Sequence, residues 1–349
     1  MADTSTPNAS QIATELGNYF RTNNREVRQG IYQKSITAKF MRTVTAVQGK
    51  FPALQSITGR VVQGFKAIWS PLGVTEFKVN ELRAYQQKVN FPITPANILN
   101  SWISYLYEEN KKPQDMSISK YIVDMELMPA IVRDREDLIG KSVYDPAKLD
   151  QFGHSMDGIQ EIIRKGVADG SMFQIPIATP TLSNMVDQVE AFELGLPEAI
   201  KPFLTKVYMS TNNMEKYMLD YRNKHGLMPL FTKEQGMKTY IGQRDIVALP
   251  SLNGTNVIFA TPDQNFLRLI DIIDEAVVTD VQVLDYVVKI FCEWWEGVGF
   301  WTNQLVVVAV PEGTHQGLGT GAVPADDAAL NAKYFGGTAN VPSAAVIGS

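Results

Sequence analysis

The order of apolar and polar positions divides the chain into helical and extended stretches, with no repeat at solenoid spacing. Residues 1–10 are small and polar, and a disordered start is expected there. Ile12, Leu16, Tyr19 and Phe20 then recur at helical spacing and predict a short helix or two. From Ile57 to Pro92 the period changes to two. Between Val74 and Phe91, Thr75, Phe77, Val79, Tyr85, Val89 and Phe91 fall on one side, with Glu76, Lys78, Asn80, Gln86, Lys88 and Asn90 on the other. Phe65, Ala67 and Trp69 alternate ahead of Ser70-Pro71-Leu72-Gly73, which has the composition of a reversal, so a hairpin is expected. A strand of about 18 residues would reach ~60 Å, well beyond the usual length. It is too long for a compact interior and too polar on one side for a central strand. The segment therefore predicts a projecting arm that finds its partner on another molecule. Two shorter strands with a bulge near Arg83 fit the same pattern.

Beyond Pro95 the spacing predicts helices over 96–109 and 117–140, the second with Ser117 as N-cap and Gly140 as the residue that ends it. Pro129 interrupts that helix and predicts either a kink or two consecutive helices. Asp124, Glu126, Asp134, Glu136 and Asp137, with Arg133 and Arg135 among them, read as its solvated face. Further helices are expected over 157–167, 182–194 and 212–225. The last has a capping-box-like start at Asn212 and Glu215, with His225 at its dipole end and Gly226 as its stop. Strands are expected over 203–209, and over 246–249 and 256–260 as a hairpin about Asn253-Gly254. Leu284 to Trp294 fits either a strand or a helix with charges four residues apart, and its Val, Ile and aromatic density favours the strand. Glu296 to Gly299 is expected to reverse the chain into a strand over 305–310, followed by an extended Gly/Ala/Pro-rich tail.

At 349 residues and 45% apolar composition the chain can bury a large core. One cysteine, Cys292, excludes an internal disulfide and is expected in the core. No apolar run approaches the ~18 residues of a membrane span, and the first ten residues lack the basic and apolar regions of a signal peptide; a soluble, cytosolic chain with no membrane partner is expected. The net charge of -5 is unevenly placed. Residues 1–60 hold eight Lys or Arg against three acids, or +5, which leaves -10 for the remainder. Such a basic arm, with Arg21, Arg25 and Arg28 along it, fits contact with nucleic acid, clamping onto the acidic body of a neighbouring copy, or simply a solvated helix face; without a stacking pattern or a module for nucleic acid the neighbour is favoured.

Candidate chemistry is sparse. Gly317-Leu318-Gly319-Thr320-Gly321 follows an apolar strand but lacks the spacing, the long helix and the later acid of a dinucleotide loop. Phosphate loops, nucleophile elbows and paired-His zinc motifs are missing, and three histidines are scattered along the chain. No catalytic, cofactor or metal site is expected, and the thirteen methionines read as core filler.

Four segments carry a resemblance: Gly59 to Pro92, Ser117 to Gly140, Val207 to Gly226 with Ala248 to Asn265, and Asp285 to Val310. In that order they resemble the extended loop, spine helix, axial core and returning strands of the major capsid proteins of tailed bacteriophages. The resemblance implies an α+β chain with the Hong Kong 97-like major capsid fold. Its parts would be an N-terminal arm (1–50), an extended β-hairpin loop (51–92) and a peripheral domain with a long spine helix (93–180). An axial domain (181–270), returning peripheral strands (271–312) and a C-terminal tail (313–349) would follow. It further implies a structural protein that assembles with itself into hexamers and pentamers of an icosahedral head. Such a head would be built in the bacterial cytoplasm with scaffolding and portal proteins, and would enclose double-stranded DNA non-specifically. The short stretch before the loop implies a separate scaffold. An encapsulin-type compartment shares the fold, and a soluble enzyme is the remaining alternative. On this reading Arg21, Arg25, Arg28, Phe65, Trp69, Phe77, Val79, Tyr85 and Val89 contact other subunits.

Overall fold

The computed structural model describes residues 8–33, 35–58, 62, 64–69, 75–113, 115–226, 237–271, 278–285 and 287–335. In chain order the elements are α1 (Ala9–Gln33), β1 (Arg42–Val44), β2 (Lys50–Thr58), β3 (Thr75–Arg83), β4 (Tyr85–Ile93) and α2 (Pro95–Glu108). Then come α3 (Ile118–Tyr121), a π-helical stretch (Ile122–Leu127), α4 (Met128–Lys141), α5 (Ile159–Ala168), β5 (Phe173–Ile177) and α6 (Met185–Leu194). The remainder is β6 (Lys206–Ser210), α7 (Thr211–His225), β7 (Asp245–Leu249), β8 (Ile258–Ala260), β9 (Phe266–Ile270), β10 (Val278–Leu284), β11 (Val287–Phe300), β12 (Val307–Pro311) and α8 (Pro324–Phe335).

Two five-stranded sheets and a two-stranded ribbon organise these elements. The first sheet is built on β11, whose 14 residues pair with β10, β4 and β9, while β1 joins β9 in parallel. Its Val, Ile, Phe and Trp density makes this a strand, and it runs straight through Glu296 to Gly299, which pair with Ile270 to Leu267. The expected reversal there is therefore wrong: partners on β9 carry those residues onward in extended form. The second sheet has the order β5-β12-β8-β6-β7. Because β6 lies between β7 and β8, the expected hairpin about Asn253-Gly254 does not form. Pro52, Pro92 and Pro176 all fall on strands with one named neighbour, where a missing N–H costs least.

α3, the π-helical stretch and α4 run on as one long helix. Ser117 caps it, its hydroxyl accepting from the Lys120 N–H at 3.3 Å. In the π stretch the Met128 N–H donates to Val123 O, five residues back, and this widened turn accommodates the ring of Pro129 without breaking the helix. Gly140 does not end the helix, which continues to Lys141. Its lack of a side chain serves packing, since a Cβ there would lie 1.8 Å from Ser251 O. α1 is a single 25-residue element with a break at Asn23, and it buries Ile12, Leu16, Phe20 and Val27 against the long helix and β11. α7 is capped by Ser210 rather than Asn212, with Ser210 Oγ accepting from the Asn213 N–H at 3.2 Å. Gly226 follows it at φ 73°, as expected of a C′ glycine.

Four of the five apolar clusters among the described residues organise the fold. One lies between the second sheet and α6, α7 and α8, and another between α1, the long helix and the first sheet. A third joins the two sheets through Tyr208, Phe259, Phe266 and Phe300, and a small fourth sits at the root of the ribbon. α8 corrects the expectation of an extended tail: Phe335 is buried in the first of these cores, edge-on to Phe173 at 5.3 Å between ring centroids.

Candidate assembly surfaces

The ribbon pairs Lys50 through Thr58 with Arg83 through Thr75. The partner of the predicted strand is thus β2, and the residues 65–69 expected to fill that place form no strand. The tip, residues 70–74, lies outside the described residues. Alternation sorts the ribbon's two faces. Inward, Ala53 and Leu82 are buried with Leu267 and Leu269, and Phe51 meets Trp301 at 5.9 Å. The Asn80 amide donates to Phe300 O at 2.8 Å, and the Trp301 indole to Leu54 O at 3.0 Å. Outward, Leu54 and Val79 stand opposite each other with Phe77 beyond them, and they are 55%, 61% and 70% exposed. Phe65 and Trp69, in the connection between the strands, are 97% and 89% exposed. These large apolar side chains are left open to water in the single subunit.

Tyr85 and Val89 belong elsewhere. The extended run breaks at Ala84, so two shorter strands are present, and β4 leaves the ribbon to pair with β11. The crossing passes directly over Gly297, where a Cβ would come within 2.3 Å of Arg83 O. The Tyr85 hydroxyl donates to Asp157 Oδ2 at 3.1 Å, and the Arg83 guanidinium lies over the Tyr85 and Tyr144 rings at 4.9 and 5.2 Å. Burial and the Asp157 carboxylate push this phenol upward. Val89 packs against the core shared by α1 and the long helix. Both residues hold the subunit's own fold, because their strand is stitched into the first sheet along its length.

Arg21, Arg25 and Arg28 all lie on α1. Arg21 is exposed, and the side chains of the other two lie outside the described residues. After this helix the chain is tied to α4 by Glu136, which accepts from Ser35 Oγ at 2.7 Å, from the Thr37 N–H at 3.1 Å and from the Ile36 N–H.

Sequence reasoning missed a buried charge cluster. Arg135, read as part of a solvated helix face, is 1% exposed and grips Glu296 with two bonds of 2.8 and 2.6 Å. Arg268 of β9 donates to the same carboxylate at 3.0 Å, and so does the Trp294 indole N–H, at 3.1 Å. Burial pushes the Glu296 carboxyl up, but Arg135 and Arg268 outweigh it and hold the group at about 2. This joins the long helix to β11 and β9.

The other groups singled out as candidate chemistry pack within the fold. The glycine-rich loop is occupied by α8: the Leu318 N–H donates to Asn331 Oδ1 at 2.9 Å and the Gly321 N–H to Asp327 Oδ2 at 2.9 Å. His225 stacks between Tyr221 and Tyr240, at 4.7 and 5.9 Å. Cys292 is buried, and desolvation pushes its thiol up to about 12. Among the described residues no group of three or more His, Cys, Asp or Glu could hold a metal ion, and no helix is long and apolar enough to cross a membrane.

No protein-family model and no curated protein matches the chain. Solved structures do. A chain of the procapsid of satellite phage P4, solved with its size-determination protein, overlaps with a TM-score of 0.52 at 12% identity, over 85% of this chain and 92% of that one. A chain of Gordonia phage Cozz overlaps with a TM-score of 0.52 at 10% identity, over 80% and 87%. The α+β arrangement of long helix, two sheets and ribbon is therefore the Hong Kong 97-like fold of phage capsid proteins.

Proposed function

We propose that this chain is the major capsid protein of a tailed bacteriophage, a structural subunit rather than an enzyme, which assembles into the hexamers and pentamers of an icosahedral head. The first sheet and the long helix would form its peripheral domain and the second sheet its axial domain. Scaffolding and portal proteins would be its assembly partners in the bacterial cytoplasm, and double-stranded DNA its contents. The observation that carries this reading is the outward row of Leu54, Phe77 and Val79 on a two-stranded ribbon, in a chain with this fold. Those side chains gain burial only against another molecule, and a second copy is the partner that lets one contact close a symmetric shell.

Electron microscopy of the purified chain, alone and with co-expressed scaffold, tests the proposal. Closed shells are expected. Sedimentation as a compact monomer under every salt and scaffold condition would overturn it, and shells filled with a protein cargo in place of nuclease-protected DNA would support the compartment alternative.

A further inference from the structure

The ribbon is held at two places of different character. At its root, Ala53 and Leu82 are sealed into an apolar core. Towards the tip the contacts are polar. Lys333, in the last turn of α8, pairs with Glu76, and the Lys78 ammonium sits over the Tyr334 ring at 5.8 Å from its centroid. Between root and tip lies a small polar crevice in which Gln55 Oε1, Ser171 Oγ and Gln304 Oε1 have no protein partner. Such a seam is wettable, so the outer half of the ribbon can part from the body without exposing a core. α8 itself cannot follow it, because Phe335 and Asn331 fasten the helix to Phe173 and Leu318.

A two-stranded ribbon is marginal in isolation, and a contact surface that moves freely must be ordered at a cost when a partner binds. We propose that α8 is a positioning strap: through Lys333 and Tyr334 it presets the direction in which the outer half of the ribbon leaves the subunit, so that Phe77 faces outward beyond the root-held Leu54 and Val79 before a second copy arrives. The consequence for assembly rests on the shell reading, whereas the strap itself belongs to the isolated subunit.

The test uses the full chain and three variants, Lys333→Glu, Glu76→Lys and the swapped double, all at exposed or half-exposed positions where the fold is not at stake. Amide hydrogen exchange in the unassembled subunit reads the strap. Each single variant is expected to speed exchange over residues 55–58 and 75–78 roughly twofold to fivefold, with residues 50–54 and 79–83 unchanged, and the double variant to restore it. Thermal unfolding should stay within about a degree of the parent in all three. Particle yield should fall in the singles and recover in the double. Unchanged exchange in both singles overturns the strap, and raised exchange with undiminished assembly overturns its positioning role. If the parent chain itself forms no shells, the shell reading fails while the exchange result still decides the strap.

Discussion

Replacing Phe77 and Val79 by Ser separates what the ribbon does for the subunit from what it does for the assembly. In the subunit the two side chains are already 70% and 61% exposed, so little apolar burial is lost. Complete burial of a Phe or Val stabilises by ~1.5–3 kcal/mol, and the part already covered corresponds to ~1 kcal/mol or less at each site. Covering the exposed remainder against a neighbour would contribute ~1–2 kcal/mol per side chain, or ~2–4 kcal/mol for the pair. At 1.4 kcal/mol per decade, losing it weakens each lattice contact by roughly 30-fold to 700-fold. The unfolding midpoint should therefore fall by a few degrees at most, while particle counts after induced assembly collapse. Leu82→Ala, on the same strand but buried against Leu267 and Leu269, is the internal comparison. It should cost ~2–5 kcal/mol of subunit stability. If the Phe77→Ser, Val79→Ser chain unfolds as early as Leu82→Ala, or assembles at the parent yield, the outward row is not a contact surface and the reasoning is wrong.

Glu296→Gln leaves Arg135 and Arg268 buried without their carboxylate and should cost ~3–5 kcal/mol by chemical denaturation, more than any exposed acid-to-amide change. Because the folded carboxyl is held at about 2, below its unfolded value near 4.3, its contribution is fully present above about pH 4.3. It is lost as pH falls through about 2, so the parent's stability should slope in that window and the Gln variant's should be flatter. Tyr85→Phe removes the bond to Asp157 and should lower subunit stability by ~1 kcal/mol with assembly affected only in proportion, which calorimetry and particle counts together can check. Reversing Arg21, Arg25 and Arg28 to Glu should reduce shell yield, more at low than at high salt, with light scattering as the readout; an unchanged yield at both would remove the arm from the contact set.

Local signals were enough wherever a residue's neighbours in sequence decide its conformation. Ser117 and Gly226 mark helix ends because capping is satisfied within one turn, and the β-branched and aromatic density up to Trp294 favours the strand that β11 forms there. The break near Arg83 stood in the pattern as one of two readings. The resemblance of four segments to phage capsid proteins led to the fold that the structural overlaps support.

What sequence by itself determined was the periodicity: where most helices and strands lie, and that the extended run from Val74 to Phe91 is too long and too polar on one side to lie wholly inside a compact domain. Partners across space were beyond it. That β3 pairs with β2 and not with 65–69, that β6 separates β7 from β8, and that Glu296 to Gly299 continue straight are all settled by which strand lies alongside. Arg135 is buried because a carboxylate 161 residues away meets it, and Gly140 and Gly297 are glycines because distant backbone passes within a Cβ's reach. Tyr85 and Val89 share a periodic side with Phe77 and Val79, yet one pair packs inward and the other faces water. Alternation fixes only that side chains share a side, and the core or solvent on that side is supplied by the rest of the chain.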